Sequence, residues 1–312
     1  MIGTYMSGRL GNQFFRYAYT RAIQHERGDQ DHLIFNFNMV YNKDPKDKSF
    51  ENVLKYFKVQ PYQTTTKDLV WTYGSLRQKW AYIQYQINVK GLGRIFGNVN
   101  KRKVHSYLNL RKKGVMYAKE DENAVTFPCP ATNDVFINGN FENSKFFNSI
   151  RDILVQEFKP KAELLPQNTE LFSIITKTNS VCVTIRRGDY LSNRYKNAFF
   201  LCDEHYFEKA IQIIREKVKN PTFVFFSDDI EWVKNNMRLK EPCYYESGKD
   251  PIWEKIRLMS ACKHFIISNS TFSWWAQYLG VYPEKIVVSP DRWYNAEWTS
   301  MLIEDSFIKI PV

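Results

Sequence analysis

Apolar residues along the chain gather into short runs separated by longer, periodically apolar stretches. Ile2 to Met6, Leu33 to Phe37, Asp134 to Asn138, Val181 to Ile185, Thr222 to Phe226, His264 to Ser268 and Lys285 to Val288 read as strands. Between them lie segments of helical period. One carries Phe14, Tyr17, Ala18, Arg21 and Ala22 and stops at Gly28, a fitting left-handed C-terminal residue. Ser144 to Phe158 predicts a helix with Phe147, Ile150, Leu154 and Phe158 on one side, ended by Pro160. Asp203 caps a helix to Val218, and Asp228 with Glu231 has capping-box spacing for the next. Asp250-Pro251 opens another to Cys262, and Phe272 to Leu279 stops at Gly280. Strands alternating with helices predict an α/β protein, with a doubly wound parallel sheet in the second half. Two domains are expected, residues 1–160 and 161–312, joined by a linker near 159–168. Residues 42–130 form an irregular insertion in the first.

Composition narrows the class. Of 312 residues, 44% are hydrophobic and 25% charged, an ordinary globular balance that excludes a disordered chain. No run reaches the ~18 apolar residues of a membrane span. The first residues are interrupted by Ser7-Gly8-Arg9 too soon for a signal peptide. Cys129, Cys182, Cys202, Cys243 and Cys262 are scattered and odd in number, which predicts reduced thiols in a cytoplasmic protein and no zinc site.

Charge sharpens the picture further. The net +11 is lopsided: residues 1–150 hold 22 basic and 12 acidic side chains, residues 151–312 hold 22 and 21. Residues 69–119 contain eleven basic side chains and no acid, interleaved with Trp71, Tyr73, Trp80, Tyr82, Tyr85, Phe96, Tyr107 and Tyr117. Such a segment fits single-stranded nucleic acid, an anionic membrane surface or a phosphorylated acceptor. Against these stands a plainly structural role. Leu76, Trp80, Ile83 and Ile87 share one helical face, which predicts a core-facing stripe inside a solvated basic surface.

Candidate chemistry sits where strands end. In an open α/β sheet, ligands bind beyond the carboxyl ends of the strands. Arg186-Arg187, Ser227-Asp228-Asp229 and Asn269-Ser270-Thr271 occupy three such ends. A guanidinium grips a pyrophosphate with two hydrogen bonds, and a hydroxyl-bearing turn opening a helix offers N–H groups to phosphate. Arg187 should point away from Arg186, because side chains alternate along a strand. Asp228 suits either a ribose or base contact or the capping role. There is no Walker A sequence, Gly91-x-Gly93-x-x-x-Gly97 misses dinucleotide spacing, and no Gly-x-Ser-x-Gly elbow is present. Asp29-Gln30-Asp31 has the D-x-D form of some metal-using transferases, but it follows a helix stop and reads as a solvated turn. His25, His32, His105, His205 and His264 are too dispersed for a metal cluster. The residues alone point to an enzyme using a nucleotide diphosphate.

Longer motifs carry a resemblance. Gly8-Arg9-Leu10-Gly11-Asn12-Gln13-Phe14-Phe15-Arg16-Tyr17-Ala18, Gly139 to Phe147, Arg186-Arg187-Gly188-Asp189-Tyr190, Phe226-Ser227-Asp228-Asp229 and Met259 to Leu279 occur in order. The last includes Ser268-Asn269-Ser270-Thr271-Phe272-Ser273-Trp274-Trp275. With these the chain resembles bacterial α-1,2-fucosyltransferases of glycosyltransferase family 11. That resemblance implies a GT-B-like fold of two Rossmann-type domains facing a cleft. It implies GDP-β-L-fucose on the C-terminal domain, a galactose-terminated oligosaccharide or lipid-linked glycan on the N-terminal one, and inverting transfer without metal or other cofactor. The implied donor set is Arg186, Arg187, Asp228, Asn269, Ser270, Thr271 and Phe272, with Arg186 on the β-phosphate. Asn12 would stand near the reacting centre on a loop with Gly8, Arg9, Gly11 and Gln13. Asp189 is the carboxylate nearest a motif, a candidate base or a brace of its own turn. Thr184 replaces the family's usual histidine, and Glu142-Asn143 its usual Gln-Ser pair. Anionic membrane is a further expected partner and nucleic acid is not. The rival functions are transfer of another GDP-sugar and nucleic-acid binding by residues 69–119.

Overall fold

The structure is a computed structural model and describes residues 1–44, 47–88, 99–117, 132–188, 200–295 and 300–312. The chain forms two compact units. The first comprises Met1–Lys55 and Val59–Glu157, the second Tyr56–Lys58 and Phe158–Val312.

The first unit is built on strands β1 (Ile2–Tyr5), β2 (Leu33–Asn36), β3 (Tyr62–Thr65), β4 (Val115–Tyr117) and β5 (Val135–Asn138). They form one sheet in the order β3-β2-β1-β5-β4, every pairing parallel. Every residue of β1 and β2 is buried, so the runs do not alternate, and their two polar members are hydrogen-bonded: Thr4 to Thr20 at 2.7 Å and Asn36 to Lys67 O at 2.6 Å. Helix α1 (Leu10–Glu26) follows β1 and ends at Arg27, with Gly28 at φ +86° as its spacing predicts. Helices α2 (Asn38–Tyr41), α3 (Leu69–Tyr73), α4 (Leu76–Gln86), α5 (Val99–Lys112) and α6 (Arg151–Glu157) complete the unit.

Three expectations change in this unit. Residues 42–130 are not simply irregular, since β3, α3, α4, α5 and β4 all lie within them. The helix expected over Ser144–Phe158 is broken: two 3-10 turns, Ser144–Phe146 and Asn148–Ile150, precede α6. Asn143 caps the first turn by accepting from Lys145 N, and Phe147 between them adopts φ −144°, outside helical space. The third change concerns α4. It buries Gln78, Ala81 and Tyr85, while Leu76 is 85% exposed, Trp80 63% and Ile87 48%. Hydrogen bonding explains the orientation. Ser75 and Gln78 form a capping box, and the Gln78 amide also donates to Lys113 O at 2.9 Å and Asp134 O at 3.0 Å. A buried amide with those bonds fixes which face turns inward, because leaving it unpaired costs about 1–3 kcal/mol.

The second unit opens with α7 (Thr169–Lys177) and β6 (Asn179–Ile185), then α8 (Glu204–Lys217) and β7 (Pro221–Ser227). Next come α9 (Ile230–Asn236), β8 (Cys243–Tyr245), α10 (Ile252–Ser260) and β9 (His264–Ile266). Helix α11 (Thr271–Leu279), β10 (Val287–Pro290) and β11 (Ile308–Ile310) close it. The six strands are parallel in the order β11-β10-β9-β6-β7-β8. The order reverses between β6 and β9, so the crevice for a ligand opens at the carboxyl ends of these two strands. Val181, Val183, Ile185, Phe223, Phe225, Ile266, Val288 and Ile310 are the sheet's share of a core cluster to which α8 adds Tyr206, Phe207, Ala210, Ile211 and Ile214. Asp203 caps α8 by accepting from Tyr206 N, as predicted. At α10 the cap is Pro251, one residue later than expected, and Asp250 accepts instead from the Asn168 amide at 3.0 Å.

Candidate functional site

In the second unit, register places the predicted donor residues on adjacent strand ends. Ile185 pairs with Ser227 and Val183 with Ile266, so the residues following β6, β7 and β9 emerge side by side. Arg186 leaves β6 with its Nη1 3.0 Å from Asp228 Oδ2, and both side chains remain partly exposed. The other oxygen of Asp228 accepts from the Arg187 backbone N–H at 2.9 Å. Asp228 is therefore not the helix cap. That role belongs to Asp229, whose carboxylate accepts from Trp232 N. Gly188 lies against the same carboxylate, since a Cβ there would stand 3.0 Å from Asp228 Oδ2. Arg187 diverges from Arg186. Its guanidinium stacks 3.6 Å from the centroid of the Trp232 ring, with Nε 3.5 Å from Asp229. Trp232 is a platform that sequence reasoning missed, visible only once α9 packs against β7, the neighbour of β6.

The turn into α11 faces the same edge. Ser270 is the N-cap residue, yet its hydroxyl makes no cap bond and no acid stands in the first turn. The positive end of this nine-residue helix is thus not neutralised by its own cap. Ser270, Thr271 and Phe272 are half-buried at this end. Asn269 is committed inward, donating to Trp293 O at 2.9 Å and Phe200 O at 3.2 Å. Behind the turn, Trp274 and Trp275 are fully buried, and Trp274 stacks on Tyr278 at 4.9 Å. Thr184 ties β6 to the turn: its hydroxyl accepts from Ser268 N at 3.1 Å and donates to Ile266 O at 3.4 Å. Asp189 lies outside the described residues.

In the first unit, the glycine-rich loop is held from beneath. Gln13, fully buried, donates to Gly8 O at 2.9 Å and Glu51 O at 2.8 Å and accepts from Val53 N at 3.1 Å. Gly8 adopts φ +72°, and a Cβ there would stand 2.6 Å from the Asn12 side chain. Gly11 is buried in the first turn of α1 and Asn12 half-buried beside Gly8. Arg9 pairs with Asp47 at 2.6 Å and lies 4.9 Å from the Phe50 ring centre. The hydrogen bond of Ser49, then the Arg9 guanidinium, hold the Asp47 carboxyl down to about 2. Asn143 acts as a turn cap, and Phe141 beside it adopts φ +55° and stacks on Tyr19 at 4.0 Å.

Asp29 and Asp31 are structural. Asp29 pairs with Arg21 and His25, and Asp31 with Arg27 and the N-terminal amine. The Arg21 bond above all holds the Asp29 carboxyl below its ordinary value. Among the described residues no group of three or more His, Cys, Asp and Glu is placed to hold a metal ion. Among them, too, no helix is long and apolar enough to cross a membrane. Four described cysteines are free, and burial lifts the Cys202 thiol to about 12; Cys129 lies outside the described residues.

Two parallel-sheet α/β units, one with an arginine and an uncapped helix start at its switch point, have the architecture of the GT-B class of glycosyltransferases. The profile of glycosyl transferase family 11 matches residues 95–310, and the chain belongs to that family. It is 28% identical to the O-antigen biosynthesis glycosyltransferase WbnK of Escherichia coli, over 98% of this chain and 99% of that one. An Escherichia coli alpha-1,2-colitosyltransferase is 35% identical over 51% of this chain and 56% of its own. The human galactoside alpha-(1,2)-fucosyltransferase 1 is 31% identical over 42% of this chain and 34% of its own. Among solved structures, a mutant of Arabidopsis thaliana FUT1 in complex with GDP superposes with a TM-score of 0.50 at 12% identity, over 95% of this chain and 72% of that one. That likeness speaks to the fold alone.

Proposed function

We propose that this glycosyltransferase moves L-fucose from GDP-β-L-fucose, with inversion, to the 2-hydroxyl of a terminal galactoside on a surface glycan, in the cytoplasm and without metal. The observation that carries the donor assignment is Arg186 at the switch point, oriented by Asp228 beside the uncapped start of α11. Departure of GDP concentrates negative charge on the β-phosphate. A preoriented guanidinium and helix N–H groups stabilise that charge more than they stabilise the bound donor. Arg186 is assigned to the β-phosphate, with Ser270, Thr271 and the N–H groups near Phe272 supporting the phosphates. Arg187, stacked on Trp232 and turned from Arg186, fixes the end of β6 rather than gripping phosphate. Asn12 is assigned to the reacting centre, and Asp189 as the base that takes the acceptor's proton.

A second donor has a specific basis. The relative named for colitosyl transfer is 35% identical, and colitose is L-fucose without its 3-hydroxyl. One panel separates the readings: GDP-L-fucose, GDP-L-colitose and GDP-D-mannose with a galactose-terminated acceptor, in excess EDTA, reading GDP release and linkage. Fastest turnover with GDP-L-fucose and an α-1,2 product is expected. Strict metal dependence, or preference for another donor, overturns the corresponding part. Arg186→Ala should lower turnover by about a thousandfold while the protein stays folded, the scale of removing a transition-state charge donor. Near-normal turnover in that variant would remove Arg186 from the site.

A further inference from the structure

We infer that the outward face of α4 docks the protein on an anionic lipid bilayer. At 3.6 residues per turn, Leu76, Trp80, Ile83 and Ile87 fall within one narrow stripe. The buried residues Gln78, Ala81 and Tyr85 fall on the opposite side of the helix. The apolar face of this amphipathic segment is thus turned to solvent, with Leu76 85%, Trp80 63% and Ile87 48% exposed. Trp71 extends the patch from α3, half exposed and edge-on to Tyr82 at 6.3 Å. Scattered exposed apolar residues are ordinary, but an ordered stripe of them marks an interaction surface.

Charge selects the occupant. Residues 69–119 hold eleven basic side chains and no acid, of which Arg77, Lys79, Arg111, Lys112 and Lys113 have described side chains. Arg77 on α4 is exposed beside the stripe, and Lys112 and Lys113 are exposed at the end of α5. A second copy of this chain would bring the same cations face to face. Nucleic acid offers bases to aromatic rings but nothing to Leu76, Ile83 and Ile87. An anionic bilayer satisfies both features: headgroups meet Arg and Lys, and Leu, Ile and Trp enter the boundary of the acyl chains. The helix, about 16 Å long at 1.5 Å per residue, is far too short to span and suits lying flat. The inference is independent of which sugar or acceptor the enzyme uses.

Flotation of the full-length protein tests it, with phosphatidylcholine vesicles alone and with about 40% phosphatidylglycerol added, at low and high salt. The wild type is expected to float with the anionic vesicles at low salt, with a blue shift of tryptophan emission. Leu76→Ser/Trp80→Ser/Ile87→Ser removes only exposed side chains, so its melting temperature and its turnover with whichever soluble acceptor the wild type uses should hold. Its vesicle partitioning should fall by about tenfold or more, since several apolar side chains leave the interface. Arg77→Glu/Lys79→Glu provides an independent variant that should weaken binding in a salt-sensitive way. Failure of the wild type to float overturns the inference, as does equal flotation of the triple variant or equal binding to phosphatidylcholine alone. A dimer in analytical sedimentation, lost in the triple variant and unaccompanied by flotation, would assign the stripe to a second copy and equally overturn it.

Discussion

At the scale of single residues, chemistry is set by which partner each charge takes. Arg186 and Arg187 are neighbours in sequence, but one faces a carboxylate at the strand end and the other an indole. Gly8 shows how narrow such positions are. At φ +72° and against Asn12, an alanine would carry about 1–2 kcal/mol of left-handed strain and displace the asparagine. Gly8→Ala should therefore lower both denaturation midpoint and turnover; a variant with unchanged turnover would mean that the loop's shape is immaterial. Asp47 offers a titration. Because its folded carboxyl lies near 2, below the ordinary 3.8, its contribution is fully present above about pH 4. That contribution is lost as pH falls through about 2. Carboxyl resonances followed by NMR should show Asp47 titrating near that lower value, and a midpoint near 4 would dissolve the Arg9 and Ser49 pairing.

At the scale of elements, Thr184 extends the pairing of β6 with β9 into the turn that follows β9 at the switch point. Ser268 is 1% exposed, so Thr184→Val would strand its N–H in the interior at a cost of about 1–3 kcal/mol. Thr184→Ser should restore most of that stability, which urea denaturation of both variants measures; equal loss in both would point to packing instead. Elements whose burial is two-sided were legible in the sequence, as with Val181 to Ile185 and Leu33 to Phe37. Their apolar runs report burial directly. The α4 face was not legible, because periodicity reveals a stripe without its direction. Direction came from Gln78, whose two bonds are made to residues far along the chain. The break at Phe147 was equally hidden, since the apolar period of Phe147, Ile150, Leu154 and Phe158 runs on through it and only Asn148-Ser149, both weak helix formers, hint at an interruption. In the site, Arg186, Asp228 and Ser270-Thr271 were readable as motifs at strand ends. The capping role moved by one residue to Asp229, and Trp232 needed the fold of α9 to be seen.

At the scale of the whole chain, the net +11 belongs almost entirely to the first half, whereas residues 151–312 are near balance. The phosphate site proposed for the second unit would therefore depend on placed groups, not on bulk potential. Connectivity has its own consequence. Phe57, wholly buried, belongs to the second unit, where it bridges Pro160 in antiparallel fashion. Lys58 N donates to Lys159 O and Lys161 N to Tyr56 O, clamping the bridge. During synthesis this tripeptide emerges about a hundred residues before its partner, a closure whose entropy cost grows only slowly with length. A fragment beginning at Phe158 lacks it from the start. Such a fragment should express poorly or bind GDP weakly, and adding back a peptide spanning residues 50–62 should improve its thermal stability. Undiminished stability of the bare fragment would make the bridge dispensable. The second half of the gene thus does not encode the whole of the second unit: three residues are on loan from the first, and no single cut can divide the enzyme into its halves.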